Sequence, residues 1–426
     1  MPEFQSLPGF RDFYPAEFSV RAHITGVWRE TARRYAFEEY DGPPLEPLEL
    51  YTEKSGEEIV GQLYNFTDKG GREVALRPEM TPTLARMIGA RAGGMPKPIR
   101  WFSVPQLFRY ERTQRGRLRE HFQWNVDIAG EEDVAADAEV LSVALDALRG
   151  LGLAAADVVA RVSDRRLMEK VLLSLGVSPA QLPAVYAVID KLEREEPART
   201  RKRLADDAGV DSAAAERILA LFDDPSLESI ARAHGAGAGV AEEVQRARRY
   251  LGYLDDAGFG DSVAFDARIV RGLAYYTGTV FEIFDRKGEL RAICGGGRYD
   301  DLLGRVSASS LPAVGFGMGD VVLAELLRER GLLPEHAPTA DWFIVAIGAE
   351  QQPMVRRAAR ALRARGESVA YSLRDVGVGK QFKEAGARGA ARALVLGPDE
   401  VARGEAVVKE MHSGVETRMS LAELGI

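Results

Sequence analysis

The sequence predicts an α+β chain of two modules: a large antiparallel-sheet domain interrupted by a helical block, then a smaller α/β domain. Three observations carry this. At residues 100–130 two β-rich runs flank a polar turn, the pattern of a long hairpin. Residues 165–255 read as charged helices. From Trp342 onward, apolar strand runs alternate with amphipathic helix runs at short spacing, as in an α/β layer on a mostly parallel sheet. A chain of 426 residues exceeds one ordinary domain. The boundaries fall at 1–333, with the helical insertion at about 165–255, and at 340–426.

With 46% hydrophobic and 28% charged residues, the chain has core enough for a globular protein and is not a disordered one. No run approaches the ~20 apolar residues of a membrane span. The start, MPEFQSLPGFRDFYP, lacks the basic flank and apolar stretch of a signal peptide. The single cysteine, Cys294, has no partner for an internal disulfide, which fits a reducing cytoplasmic setting, and a lone cysteine is more often a packed small residue than a nucleophile. The net charge of −8 argues against nucleic acid on average, but the charge is uneven. Lys97 to Arg119 holds seven Lys/Arg against Glu111 alone, and residues 341–426 hold 13 against 11 Asp/Glu. Local positive surfaces suffice to steer a phosphate backbone.

Residues 1–15 form a lead punctuated by Pro and Gly. Val20, Ile24, Val27, Trp28 and Ala32 recur at helical spacing and predict a helix over about 16–35. A strand over 37–40 runs into GPPLEP, and residues 51–70 read as short helix, strand and turn. In LRPEMTPTLARM, Arg77 and Glu79 close a strand, and Thr81-Pro82 opens a helix in the manner of an N-cap followed by proline. Then comes RWFSVPQLFRYERTQRGRLREHFQWNVDIAG, residues 100–130. Trp101–Glu111 and Phe122–Ile128 read as strands, and the loop between them carries Gly116 with Arg112, Arg115, Arg117 and Arg119. Strand side chains alternate faces, so Gln123, Asn125 and Asp127 share one face and Trp124, Val126 and Ile128 the other. Arg109 and Glu111 likewise share a face. The plain alternative is a solvated sheet face. Against it, the polar face mixes donors and acceptors of opposite charge, as a zwitterionic ligand needs. The arginines at the turn supply forked donors for a polyphosphate or a nucleic-acid backbone.

Residues 131–151 predict an acidic helix with apolar Val134, Leu141, Leu145 and Leu148. The block at 165–255 shows nothing catalytic, and Arg199 to Arg203 reads as a solvated helix face. Strands resume at Asp266–Val270 and Thr279–Phe284 on either side of RGLAYYTG, followed by ICGGGRYDDLLG. The run Gly295–Gly297 matches neither GxGxxG nor GxxxxGK[ST], which excludes those nucleotide loops. Its glycines instead let the backbone pass close to a ligand. AVGFGMGDVVLAELL, residues 313–327, reads as a strand and a buried helix. In the last module WFIVAIG, SVAYS, ALVLG and AVVKEM are strands, with helices over 354–365 and 380–388.

The segment FRYERTQRGRLREHFQ resembles motif 2 of the class II aminoacyl-tRNA synthetases, in the form peculiar to the histidyl-tRNA synthetase family. RGLAYYTG and GGGRYD resemble that family's two diagnostic peptides, in the expected order and separation. The helix, strand and Pro43 are similar to motif 1, AVGFGMGDVVLAELL to motif 3, and GKQFKEAGARGA to the anticodon-binding domain, so the resemblance covers essentially the whole chain. It implies a class II antiparallel-sheet catalytic domain with a helical insertion, a C-terminal α/β anticodon-binding domain, and a cytoplasmic homodimer with no membrane partner. It implies that histidine is activated with ATP, brought with Mg2+, to histidyl-adenylate and passed to the 3′ end of tRNA(His). No His/Cys cluster suggests a protein-held metal.

The resemblance also implies residue roles. Arg109 and Arg271 are catalytic: Arg109 grips the α-phosphate, and Arg271 lies between the histidine carboxylate and that phosphate. Glu79, Thr81 and Gln123 bind the ammonium group, Asp127 and Tyr276 face the imidazole, and Tyr275 and Tyr299 complete the histidine pocket. Arg109, Glu111, Arg117 and Arg271 contact ATP, while Arg112, Gln114, Arg115 and Gly116 meet the tRNA acceptor end. Three positions depart from the family pattern. Ala274 stands where Asp is usual, and Asp127 replaces the commoner glutamate, one methylene longer. Val322 occupies the place of the motif 3 arginine that normally holds the γ-phosphate, so the site is expected to bind ATP differently or more weakly. That loss keeps a second reading open, the catalytically silent relative that serves as regulatory subunit of ATP phosphoribosyltransferase. The arginine loop, Arg271 and the complete C-terminal module favour the synthetase.

Overall fold

The computed structural model describes residues 4–55, 57–270, 275–306, 310–335 and 340–426. Two compact units divide the chain, Met1–Leu333 and Pro334–Ile426.

The first unit is organised on a sheet of nine strands among the described residues. They are β1 (Glu38–Glu39), β2 (Ile99–Ser103), β3 (Gln106–Phe108), β4 (Glu120–Ala129), β5 (Val158–Asp164), β6 (Val263–Phe265), β7 (Thr279–Asp285), β8 (Cys294–Arg298) and β9 (Ala313–Gly319). Their order is β1-β2-β4-β9-β8-β7-β5-β6, with β3 also beside β4. The pairs from β2 through β5 are antiparallel, and only the outer pairs β1/β2 and β5/β6 are parallel.

The strand expected over 101–111 divides into β2 and β3 around Val104-Pro105. Pro105 has no N–H to give the ladder. Its carbonyl still accepts from the Gln123 amide (3.1 Å), and the register is the same on both sides, Ser103 opposite Asn125 and Gln106 opposite Phe122. The hairpin closes at Gln114 and Arg117, which exchange both backbone bonds (3.0 and 2.9 Å). Gly116 takes φ +71° at the third position of that turn, where only glycine is unstrained.

The apolar face of β4 meets two helices, Pro15–Arg34 and Val134–Gly150. Trp124 stacks on Trp28 (5.9 Å, 13°) and meets Phe316 edge-on (5.1 Å), all within one core that includes Val126 and Ile128. The Val134–Gly150 helix starts where Asp133 accepts from the Ala135 amide (2.9 Å), a side-chain N-cap. The strand expected at 266–270 lies earlier, at β6, because Asp266 turns the chain: its carbonyl accepts from the Ile269 amide (3.1 Å). Between β5 and β6, which are neighbours, stands the insertion. Its six α-helices, Arg165–Ser174, Leu182–Ile189, Pro197–Asp206, Ser212–Leu221, Leu227–His234 and Val240–Asp256, bury a core of their own around Leu167, Val185 and Ile218.

In the second unit three parallel strands, Val369–Tyr371, Trp342–Ala346 and Arg392–Leu396, continue into antiparallel Glu405–Glu410 and Glu416–Ser420. The sheet is therefore mixed rather than mostly parallel, because its last two strands are joined by a short turn that admits no crossover. Helix Gln352–Ala364 covers one face against Trp342 and Ile344, and helix Val378–Ala387 covers the other against Phe343 and Val345. Gln381 clamps the end of strand Trp342–Ala346 by exchanging two bonds with the Ala346 backbone (2.9 Å each).

Candidate active site

Glycines clear the floor of the site. Gly315, Gly317 and Gly319 of β9 stand opposite Asp127, Asn125 and Gln123 of β4. A Cβ on Gly315 would fall 1.9 Å from Asp127 Oδ1, and one on Gly317 2.8 Å from Gln123 Cδ. On β8 a Cβ at Gly297 would strike the Tyr276 ring at 2.9 Å. The polar face of β4 thus looks across bare backbone, with Gln123 and Asp127 about 13 Å apart along the strand.

At the Asp127 end the pocket is aromatic. The Tyr299 hydroxyl donates to Asp127 Oδ1. Burial and the Asp127 charge push the Tyr299 hydroxyl well above the usual tyrosine range, so it stays a neutral donor and Asp127 an acceptor. Tyr275 packs against Tyr276 (4.6 Å) and edge-on to Tyr299 (6.1 Å). Tyr275 to Gly278 and GGGRYD meet here: the Thr277 amide bonds to the Arg298 carbonyl (2.8 Å), and Thr277 Oγ1 accepts from the Asp300 amide (3.0 Å). Arg298 itself turns away from the pocket. Its guanidinium is fully buried against Asp137 (2.5 Å) and also donates to the Glu131 carbonyl (2.9 Å).

At the Gln123 end the floor opens into a cleft of about 1220 Å³ that Arg109, Glu111, Arg117 and Gln123 line. Arg117 pairs with Glu111 (2.8 Å), and Arg109 lies 4.0 Å from the same carboxylate. Arg109 Nε also donates to the Pro78 carbonyl (3.2 Å), which ties the cleft to the LRPEM turn carrying Glu79. Thr81 is the first residue of helix Thr81–Arg91 rather than its cap; the N-cap position is Met80 and no side chain caps it. At the hairpin tip Gln114 accepts from Arg291 (2.5 Å), Arg115 pairs with Glu325 (3.2 Å) and Glu329 (2.8 Å), and Arg112 is exposed. Arg271 and Ala274 lie outside the described residues.

Sequence reasoning passed over three features. His121 lines the cleft beside Gln123, with its pKa pushed down to about 3 by burial and by the charges of Arg109 and Arg11, so the ring is neutral. Its position two residues before Gln123 puts it on the same face, a signal that was available. The lead at 4–14 straps the hairpin: Arg11 pairs with Glu120 (2.6 Å) and Asp320 (2.9 Å), and the Gly9 carbonyl accepts from the Arg119 amide (3.0 Å). Arg291, the third, lines the cleft beside Val322. The last two had no local signal.

A family model for histidyl-tRNA synthetase matches residues 9–320, and one for an anticodon binding domain matches residues 341–425. A histidine–tRNA ligase from Opitutus terrae is 45% identical over 98% of this chain and 96% of its own length. The chloroplastic/mitochondrial histidine–tRNA ligase of Arabidopsis thaliana is 39% identical over 98% and 85%. Among solved structures, a histidyl-tRNA synthetase from Nostoc sp. PCC 7120 shares the fold with TM-score 0.84 at 24% identity, over 100% of this chain and 99% of that one. A Bacillus halodurans C structure described as ATP phosphoribosyltransferase regulatory subunit/histidyl-tRNA synthetase reaches 0.77 at 22% identity, over 93% and 99%. Fold, site and matches together define an aminoacyl-tRNA synthetase with an anticodon-binding module. Within that class, the chain belongs to the histidyl-tRNA synthetase family.

Proposed function

We propose that the protein activates histidine with ATP to histidyl-adenylate and transfers the histidyl group to the 3′ end of tRNA(His). The observation that carries this is one face of β4 that bears both ends of the site: Asp127 with Tyr299 at one end, and Gln123 in the lining of the arginine-bearing cleft at the other. A zwitterionic amino acid and an anionic nucleotide fit side by side there.

In the first step a histidine carboxylate oxygen bonds to the α-phosphorus while the bond to the pyrophosphate oxygen breaks. Both reactants are anions, so positioning and fixed cations carry the catalysis. We assign Arg109 to the α-phosphate, Glu111 and Arg117 to ATP beside it, and Arg271 to the gap between carboxylate and phosphate. Glu79, Thr81 and Gln123 take the ammonium group. Asp127, oriented by Tyr299, accepts from the imidazole, with Tyr275 and Tyr276 beside it. Magnesium travels with ATP as part of the substrate. In the second step the terminal ribose hydroxyl of the tRNA attacks the acyl carbonyl and AMP leaves. Arg112, Gln114, Arg115 and Gly116 meet the acceptor end, Arg115 giving up Glu325 and Glu329 to do so. Residues 341–426 take the anticodon. The assembly is read as a homodimer with Pro43 at its interface, acting in the cytoplasm. Among the described residues no helix is long and apolar enough to cross a membrane.

The ligase names of relatives at 39–45% identity weigh against the regulatory reading. The test is ATP-dependent charging of a tRNA(His) transcript with radiolabelled histidine by the purified full chain. Absence of charging, together with stimulation of a short ATP phosphoribosyltransferase, would replace this assignment with the regulatory one.

A further inference from the structure

Of the cleft arginines without an assigned role, Arg291 is the one at the hairpin end. It lies in the loop joining β7 to β8, and its Nη2 donates to Oε1 of Gln114 at the hairpin tip (2.5 Å). From the point where a Cβ on Gly116 would stand, Arg291 Cδ is 3.8 Å away and Val322 Cγ2 is 3.2 Å away. Arg291 and Val322 therefore share one corner of the cleft.

Partners and position together set Arg291 apart from the other cleft arginines. Arg117 is neutralised by Glu111 (2.8 Å), which also stands 4.0 Å from Arg109, and Arg161 by Glu193 (3.0 Å). Arg286 is directed to two backbone carbonyls, Ala155 (2.5 Å) and Asp261 (2.7 Å). Arg161 lies on β5, four strands from Gln123, and Glu193 with the adjacent Arg194 stands beside it in the turn Leu192–Arg194 of the insertion. Among the described residues Arg291 has no carboxylate partner. Its partner is a neutral amide, which orients a guanidinium without cancelling its charge.

We propose that Arg291 binds the terminal phosphates of ATP, supplying the cation at the corner where Val322 supplies none. This rests on the ATP-dependent reading above. As the bond between the α-phosphorus and the pyrophosphate oxygen breaks, negative charge gathers on the leaving group. A forked donor at its far end stabilises that charge. Helix Asp320–Glu329 thereby remains apolar where Val322 packs, and the loop between two strands takes over the electrostatic task.

The test compares the parent with Arg291→Ala and Arg291→Lys. Calorimetry with magnesium measures binding of a non-hydrolysable ATP analogue, of AMP and of histidine. Loss of a charged hydrogen bond predicts analogue binding about 10- to 100-fold weaker in Arg291→Ala. AMP, which lacks the terminal phosphates, and histidine should bind within about twofold of the parent on the same grounds. Arg291→Lys should recover part of the loss. Unchanged analogue binding by Arg291→Ala, or an equal loss of AMP binding, overturns the proposal. A parent that binds neither histidine nor the analogue would instead overturn the synthetase reading itself.

Discussion

Asp127 stands on a floor from which side chains have been removed, with the Tyr299 hydroxyl fixed on one of its oxygens. Asp127→Asn keeps the shape and an acceptor for Tyr299 but loses the charge. The KM for histidine should rise about 10- to 100-fold, the cost of about 1.5–3 kcal/mol for a hydrogen bond to a charged group, with the KM for ATP nearly unchanged. Steady-state kinetics with each substrate varied in turn would show this split. His121 gives a pH signature. Its folded pKa of about 3 lies below the ordinary 6.5, so between those values the unfolded chain binds the extra proton and stability falls as pH falls. Above pH 6.5 the ring is neutral in both states and contributes no slope. His121→Gln should therefore lose less stability than the parent between pH 7 and pH 5, by up to about 2 kcal/mol in urea unfolding. At this scale, alternation along β4 was enough to find Gln123 and Asp127, and would have found His121. Arg11 and Arg291 were illegible because their partners lie 309 and 177 positions away.

Among the elements, the hairpin was legible because aromatic and β-branched residues crowd both strands. Its break was not read, although Pro105 was in view, since a missing donor interrupts the ladder without changing register. GGGRYD shows the opposite limit. The motif pointed to the site, yet its arginine belongs to the scaffold: Arg298 and Asp137 are both fully buried and pin β8 to the start of helix Val134–Gly150. Asp137→Ala leaves the buried guanidinium with only the half-buried Asp300 (3.2 Å) as a carboxylate partner and should cost about 3–5 kcal/mol in chemical denaturation. The double variant Asp137→Ala/Arg298→Met should regain part of that, because an apolar replacement removes the stranded charge. A loss of activity without a loss of stability in Asp137→Ala would contradict this scaffold role.

For the whole molecule, the insertion between β5 and β6 follows a simple geometry. Two neighbouring parallel strands need a long connection, and six helices with their own core provide it. Helical spacing made that block legible, whereas the mixed order of the C-terminal sheet depended on a hairpin whose last strand, Glu416–Ser420, carries little apolar pattern. The units Met1–Leu333 and Pro334–Ile426 suggest a division of labour between chemistry and tRNA selection. A chain ending at Glu335 should still form adenylate at a rate near the parent's. Its charging of tRNA(His) should fall by about 100-fold or more, as when one of two linked binding modules is lost. Equal charging by the two chains would contradict that division. The pocket chemistry itself is tested most directly by ATP–pyrophosphate exchange with the full chain, run separately with each of the twenty standard amino acids. Exchange with histidine, and with no other amino acid at comparable efficiency, is the expected result; efficient exchange with a different amino acid, or none with histidine, would contradict the account.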